Sequence, residues 1–144
     1  MIYLKDVDRG NYEECLTLDV SGDQRSFVAT NLRSLAQAYV FQDVAKPYAI
    51  YDDDVMVGFA MFHVDSAKGE YWLWRFMIDK RHQNKGYGKA AMGAIINHFA
   101  SIGAKAVKLC FEPDNHVAEK LYTKCGFYRN GEMEDDEIVM QLDL

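Results

Sequence analysis

A short basic turn, QNKGYG at residues 83–88, has the residue types of a phosphate-binding site. Gly86 and Gly88 carry no side chains, so backbone N–H groups at these positions are open to an approaching anion. The net charge of the chain is −6, and a local group of cations therefore stands out as an anion site. Four basic residues form this group: Lys80, Arg81, Lys85 and Lys89.

The sequence on either side of the turn predicts a strand and a helix. Residues 72–78 are rich in aromatic and branched side chains, which indicates a buried strand. After the turn, apolar residues recur at steps of three and four, at Met92, Ile95, Ile96 and Phe99, as in an amphipathic helix. The glycines therefore lie where the helix begins, and its free N–H groups and dipole favour a phosphate there.

Two common phosphate-binding motifs do not fit this turn. Gly86-x-Gly88 lacks the third glycine of the dinucleotide-binding fingerprint, and the pattern GxxxxGK[ST] is absent from the chain. The turn instead resembles the Q/R-x-x-G-x-G/A motif of the GNAT superfamily of acyl-CoA N-acyltransferases, with Gln83 at its first position. When this motif stands alone, the alternative to a CoA-binding turn is a glycine turn that begins a helix and binds no ligand.

A second and more specific motif supports the same resemblance. Residues 115–127, NHVAEKLYTKCGF, match the GNAT pattern N-x-x-A-x-x-L-Y-x-x-x-G-F at every marked position. One predicted strand separates the two motifs, as in that superfamily. Residues 72–92 and the C-terminal tail are similar to the bacterial spermine/spermidine (diamine) acetyltransferases within it.

The resemblance implies an α/β (α+β) fold for residues 1–144, taken as a single domain. The predicted order of elements is β-α-α-β-β-β-α-β-α-β-β, which corresponds to a mixed central sheet of about seven strands flanked by about four helices. The second and third strands form a predicted hairpin around residues 52–54. Gly58 inside the third strand predicts either a bulge or a close backbone approach.

The resemblance also implies that acetyl-CoA is the acyl donor. Its pantetheine amides are expected to pair with the backbone of the predicted strand at residues 72–78, at Phe76, Met77 and Ile78. Its pyrophosphate is expected to meet the Gln83 side chain and six backbone amides, those of Asn84, Lys85, Gly86, Tyr87, Gly88 and Lys89. Ala118 belongs to the predicted cofactor site, and Asn115 is expected either to contact the cofactor or only to cap its helix.

Direct transfer of an acetyl group to an amine requires a proton acceptor and a proton donor. A primary ammonium with a pKa near ~10.4 is almost wholly protonated at neutral pH, so a base must remove its proton. Tyr122 corresponds to the family tyrosine that protonates the leaving thiolate, and a core aromatic is the alternative role. Four carboxylates remain candidates for the base: Asp65, Glu70, Asp79 and Glu112.

The resemblance implies a small amine, a polyamine such as spermidine or spermine, as the acceptor. An acidic group near the N-terminus is interpreted as a solvated face, with a wall that attracts polyamine as the alternative: Glu13, Glu14, Asp19 and Asp23. Five aromatic residues are expected in the core, with an acceptor tunnel as the alternative: Tyr48, Tyr51, Phe62, Trp72 and Trp74. Strand alternation places Leu73 and Arg75 on one face, and Arg75 would repel a polyamine.

Net charge, hydropathy and the spacing of cysteine and histidine argue against several other classes of protein. The negative net charge argues against nucleic acid, and no apolar run is long enough for a membrane span. The N-terminal residues do not have the layout of a signal peptide, so we expect a cytoplasmic protein. Cysteines 15, 110 and 125 are expected to be reduced, and the four histidines show no metal-ligand spacing, so no metal site is expected.

Alternatives to polyamine acetylation remain open at this point. The same fold acetylates protein N-termini, lysines and antibiotics in other members of the superfamily. A non-catalytic acyl-CoA sensor and a structural domain without CoA affinity are further alternatives. The resemblance also implies a homodimer, because many members of the superfamily are dimers.

Overall fold

We describe the fold from a computed structural model, which covers residues 1–144. The strands are β1 Ile2–Asp6, β2 Ala45–Asp52, β3 Val55–Asp65, β4 Glu70–Ile78, β5 Ala106–Phe111, β6 Tyr128–Glu134 and β7 Glu137–Asp143. The helices are α1 Tyr12–Thr17, α2 Asn31–Val40, α3 Tyr87–Ser101 and α4 His116–Lys124, with short 3₁₀ turns at Gly22–Gln24 and Lys80–His82. The predicted order of elements is confirmed.

All seven strands form one sheet, in the order β1-β2-β3-β4-β5-β7-β6. Only β4 and β5 run parallel, because α3 carries the chain from the end of one to the start of the other. The apolar stripe of α3 is confirmed, since Met92, Ile95 and Phe99 are buried in the core on one face of the sheet. Cys15 and Ala38, from α1 and α2, are buried in a second core on the opposite face. None of the helices has the length and apolar character needed to span a bilayer.

Gly58 lies where the backbones of β3 and β4 come very close. A Cβ atom at this position would stand 2.5 Å from the carbonyl oxygen of Met77. The register between β2 and β3 also shifts next to this glycine, between Ile50 and Tyr51. The bulge and the close backbone approach, which the sequence predicts as alternatives, are therefore both present. The close approach is the feature that excludes a side chain at Gly58.

A second irregularity lies in β4, at Trp74. In the pairing with β3, Met61 faces Arg75 and Phe62 faces Leu73, so Trp74 is an extra, bulged residue. Leu73 remains in the core beneath α3, while Arg75 turns toward α2. The prediction that Leu73 and Arg75 share a face is wrong, because the bulge interrupts the alternation.

Candidate active site

The sheet opens into a groove where β4 and β5 separate. These parallel strands are paired only at Trp72 and Lys108, and beyond that point they diverge. The resulting groove has a volume of about 900 Å³ and is lined by residues 73–78 of β4, residues 109–111 of β5 and Glu112, which follows β5. The loop between α1 and α2, the start of α3, helix α4 and the turn between β6 and β7 complete its walls. Most of the candidate site residues described below line this groove.

Part of the β4 backbone faces the groove rather than a neighbouring strand. The N–H of Asp79 donates to the carbonyl of Val57 in β3 at 2.8 Å. Because backbone groups alternate in direction along a strand, those of Phe76 and Ile78 point to the opposite side, where β5 has moved away. The Ile78 carbonyl accepts a hydrogen bond from the Gln83 side chain at 2.9 Å. The N–H groups of both residues and the Phe76 carbonyl can bind an extended chain that itself carries amides.

The turn before α3 presents free amides at one end of the groove. None of the six backbone N–H groups of residues 84–89 donates a hydrogen bond within the chain. Gly86 is the N-cap of α3, a helix of 15 residues, and no side chain caps this end. Free amides at the start of a long helix, with lysine and arginine side chains around them, match the donors that a pyrophosphate requires.

The two glycines of the turn have different roles. Gly86 has a φ of +82°, a left-handed conformation that strains any residue with a Cβ. A Cβ at Gly88 would instead lie 3.5 Å from the Leu121 side chain, an ordinary contact between α3 and α4. Gly86 is therefore required by its backbone conformation, whereas Gly88 lies at the contact between α3 and α4. The expectation that both glycines leave room for a phosphate stays a prediction.

Gln83 is engaged within the protein. Its Nε2 donates to Oε1 of Gln24 at 2.8 Å and to the carbonyl of Ile78 at 2.9 Å. Both hydrogens of the amide group are therefore used, and only its oxygen is free. The prediction that this side chain donates to the pyrophosphate does not agree with this arrangement, because its donors already have partners.

Most of the predicted site residues line the groove, and two do not. Those that line it are Phe76, Met77, Ile78, Gln83, Asn84, Gly86, Tyr87, Gly88, Asn115, Ala118 and Tyr122. The side chains of Lys85 and Lys89 are exposed and lie outside it, so they contribute charge at a distance. Asn115 caps α4, since its Oδ1 accepts a hydrogen bond from the N–H of Ala118 at 3.3 Å.

Tyr122 lies in α4 at the wall formed with β5. Its ring packs against Phe111 and Phe127, with centroid distances of 6.2 and 6.0 Å. Burial raises the pKa of Tyr122 well above its usual value, and its hydroxyl has no hydrogen-bond partner in the chain. A protonated, unpartnered hydroxyl beside the groove is free to donate to a bound group.

The four candidate bases are far apart in the fold. Asp65 and Glu70 are opposite each other in the register of β3 and β4, next to the β3–β4 turn. They therefore lie at the end of β4 that is far from the glycine turn. Asp79 is 1% exposed, and its carboxylate accepts from the N–H of Asp19 and from Arg81. Only Glu112 lines the groove. It is therefore the one candidate base of the four that a ligand there can reach.

An acidic wall of the groove comes from a part of the chain that the sequence does not single out. Glu134, Asp135 and Glu137, at the turn between β6 and β7, line the groove together with Glu112. The acidic run at residues 132–137 is visible in the sequence, but only the pairing of β7 with β5 brings it to this place. The acidic residues near the N-terminus lie outside the groove, which agrees with a solvated face: Glu13, Glu14, Asp19 and Asp23.

Arg75 and Arg33 add positive charge to the same part of the groove. The Arg75 guanidinium donates to the carbonyl of Trp74 and to Gln37, and it lies 5.6 Å from the centre of the Trp74 ring. Its Nε has no partner, and burial lowers the pKa of Arg75.

Of the five aromatic residues considered for a tunnel, only Trp74 lines the groove, while Phe62 and Tyr51 are buried in the two cores.

Cys110 also lines the groove, but its thiol is poorly suited to attack a substrate. Burial, reinforced by the nearby Glu137 carboxylate, raises the pKa of Cys110 to about 12. The reactive form of cysteine is the thiolate, which is negligibly populated at neutral pH with such a pKa. A covalent intermediate on this residue is therefore disfavoured.

Comparison with known proteins identifies the class to which this fold and groove belong. The chain belongs to the acetyltransferase (GNAT) family, whose model matches residues 13–127. The chain is therefore an N-acetyltransferase, and acetyl-CoA is the acyl donor of the family. A curated relative, the spermine/spermidine N(1)-acetyltransferase of Bacillus subtilis (strain 168), is 35% identical over 140 residues, which cover 92% of this chain and 91% of the relative.

Two solved structures share the fold at much lower sequence identity. A spermidine N-acetyltransferase from Vibrio cholerae in complex with CoA and spermine has a TM-score of 0.80 and 16% identity, covering 99% of this chain and 95% of that chain. An N-acetyltransferase from Thermoplasma acidophilum in complex with coenzyme A has a TM-score of 0.75 and 12% identity, covering 100% and 99% of the two chains. The predicted fold class is therefore confirmed.

Proposed function

We propose that this protein transfers the acetyl group of acetyl-CoA directly to a primary amine of a polyamine such as spermidine or spermine. The observation that carries the proposal is that one groove contains both free amides of the turn before α3 and an acidic wall at the β6–β7 turn. Four residues of the turn line it: Asn84, Gly86, Tyr87 and Gly88. The first feature suits a pyrophosphate and the second suits a cation. The relative from Bacillus subtilis, a spermine/spermidine acetyltransferase by name, supports the same acceptor.

The chain positions the two substrates from opposite ends of the groove. Acetyl-CoA supplies an activated thioester. The amides of residues 84–89 bind its pyrophosphate, and the backbone of Phe76 and Ile78 orients the pantetheine chain toward Tyr122. Glu134, Asp135 and Glu137 attract the ammonium groups of the acceptor, whose several charges match a wall of several carboxylates.

Two side chains act as the proton acceptor and the proton donor of the reaction. Glu112, the candidate base that lines the groove, accepts the proton of the attacking ammonium. Tyr122 donates to the departing sulfur from a hydroxyl that burial keeps protonated at neutral pH. No covalent bond to the protein is needed, which agrees with the protonated state of Cys110.

A second acceptor class is favoured by one specific observation. Arg33 and Arg75 place positive charge in the groove, and Arg75 has no carboxylate within ion-pair distance. An acceptor that carries both an amine and an anionic group, such as a peptide N-terminus, would match these arginines as well as the acidic wall.

A homodimer and a cytoplasmic location, both expected from the sequence, stay predictions.

The acceptor assignment is tested with an amine panel and two matched variants. We expect Glu137→Gln to raise the KM for spermidine and spermine, while Glu132→Gln does not. Glu132 is the control because it is exposed, lies outside the groove and has only surface partners, Lys108 at 2.9 Å and Asn130 at 2.7 Å. Turnover of a peptide amine but of no polyamine would overturn the acceptor assignment and leave the acetyltransferase assignment intact.

A further inference from the structure

The loop between α1 and α2 is hydrogen-bonded to the turn that begins α3. The N–H of Asp19 donates to the buried carboxylate of Asp79 at 2.9 Å, and the N–H of Lys80 donates back to the carbonyl of Asp19 at 2.7 Å. Asp79 also accepts from the Arg81 guanidinium at 2.7 Å. These reciprocal bonds fix the start of the loop to the end of β4.

A second attachment lies further along both segments. Gln24, in the 3₁₀ turn Gly22–Gln24, accepts from Gln83 at 2.8 Å, and the same amide group of Gln83 is bonded to the carbonyl of Ile78. Both glutamine side chains are half-buried and line the groove. The Gln24–Gln83 hydrogen bond therefore connects the loop between α1 and α2 to the turn before α3. No backbone hydrogen bond connects these two segments near the two glutamines.

The two joined segments form different parts of the groove. The loop supplies Val20, Gln24 and residues 26–29 to the groove wall that precedes α2. The turn supplies the six free amides. A ligand that orders one segment therefore favours the bound arrangement of the other, and this coupling acts equally in both directions.

We infer that Gln24 and Gln83 are positioning residues, a latch that couples the phosphate-binding turn to the groove wall formed by the loop between α1 and α2. The inference rests on the proposed function for the identity of the two ligands. The Asp79–Asp19 bonds stay in place when either glutamine is replaced, so the loop remains attached and the variants are expected to fold. The latch therefore affects ligand binding rather than the integrity of the fold.

A double-mutant cycle with Gln24→Met, Gln83→Met and the double variant tests the latch. It is measured on the Kd of CoA by calorimetry, which requires no acceptor, and on the KM for spermidine. Gln24→Met is expected to raise both constants by about 2- to 10-fold, the effect of one lost hydrogen bond. Gln83→Met is expected to raise them at least as much, because it also loses the bond to the Ile78 carbonyl. The double variant is expected to be no worse than the weaker-binding single variant. Gln42→Met is the control, because the exposed Gln42 side chain makes no hydrogen bond and lies outside the groove.

The outcomes separate the latch from the proposed acceptor. Effects on the Kd of CoA that multiply in the double variant, or a Gln24→Met variant with wild-type constants, would overturn the latch. A coupled effect on the Kd of CoA without any turnover of polyamine would support the latch and overturn the acceptor assignment. Equal melting temperatures across the set show that the effect is on binding, whereas a loss of affinity that only follows a lower melting temperature would count against the latch.

Discussion

Replacing Gly86 with alanine tests whether the conformation of the turn before α3 controls coenzyme binding. No atom lies within 4 Å of a Cβ built at Gly86, so the added methyl group meets no neighbour. The φ of +82° is the only obstacle, and it costs an L-residue about 1–2 kcal/mol. We expect the variant to relax to a negative φ, which turns the adjacent amides away from the groove.

Coenzyme binding then requires the strained conformation to be restored. A cost of about 1–2 kcal/mol corresponds to a Kd for CoA that rises about 5- to 30-fold, measured by isothermal titration calorimetry. Gly93→Ala is the matched control, because Gly93 lies in the middle of α3 and a Cβ there also meets nothing. It should leave the affinity unchanged and stabilise the helix by about 0.5–1 kcal/mol. A Gly86→Ala variant that binds CoA as the wild type does would refute the role of this turn.

Two further predictions concern the stability of the framework around the groove. Gly58→Ala should lower the free energy of unfolding by about 1–3 kcal/mol in urea titrations, because the new Cβ overlaps the Met77 carbonyl oxygen; a variant of wild-type stability would contradict this strand pairing. Burial opposes ionisation of Asp79, but hydrogen bonds from the Asp19 N–H and from Arg81 keep its pKa below the usual range. The ionised form therefore stabilises the fold above about pH 4, and this contribution is lost as the pH falls further. Asp79→Asn should remove that part of the acid-induced fall in melting temperature, and an unchanged profile would argue against it.

The sequence predicted the order of elements because its strongest signals are local. The stripe of α3, the glycine at its start and the N-cap at Asn115 each follow from residues close together in the chain. Local patterns also predicted that the phosphate-binding turn would coincide with a helix start, and the free amides of residues 84–89 agree with this. These features depend on hydrogen bonds within one or two turns, so sequence spacing alone is sufficient to place them.

The features that the sequence did not predict depend on partners distant in the chain. The bulge at Trp74 arises from the pairing with β3, and it reverses the face expected for Arg75. The acidic wall reaches the groove only because β7 inserts between β5 and β6. Asp65 and Glu70 appeared equivalent to Glu112 as bases, although they lie at the other end of β4, because sequence spacing does not record which end of a strand faces a site.

Thiol release from acetyl-CoA in the presence of spermidine or spermine, for wild type and Tyr122→Phe side by side, tests the central claim most directly. We expect turnover by the wild type and a kcat lower by about 100-fold or more in the variant, as for loss of a general acid. The Kd of CoA and the melting temperature should change little, because the phenylalanine ring keeps the contacts with Phe111 and Phe127. Binding of CoA without turnover of any amine, or an undiminished kcat in the variant, would contradict the account.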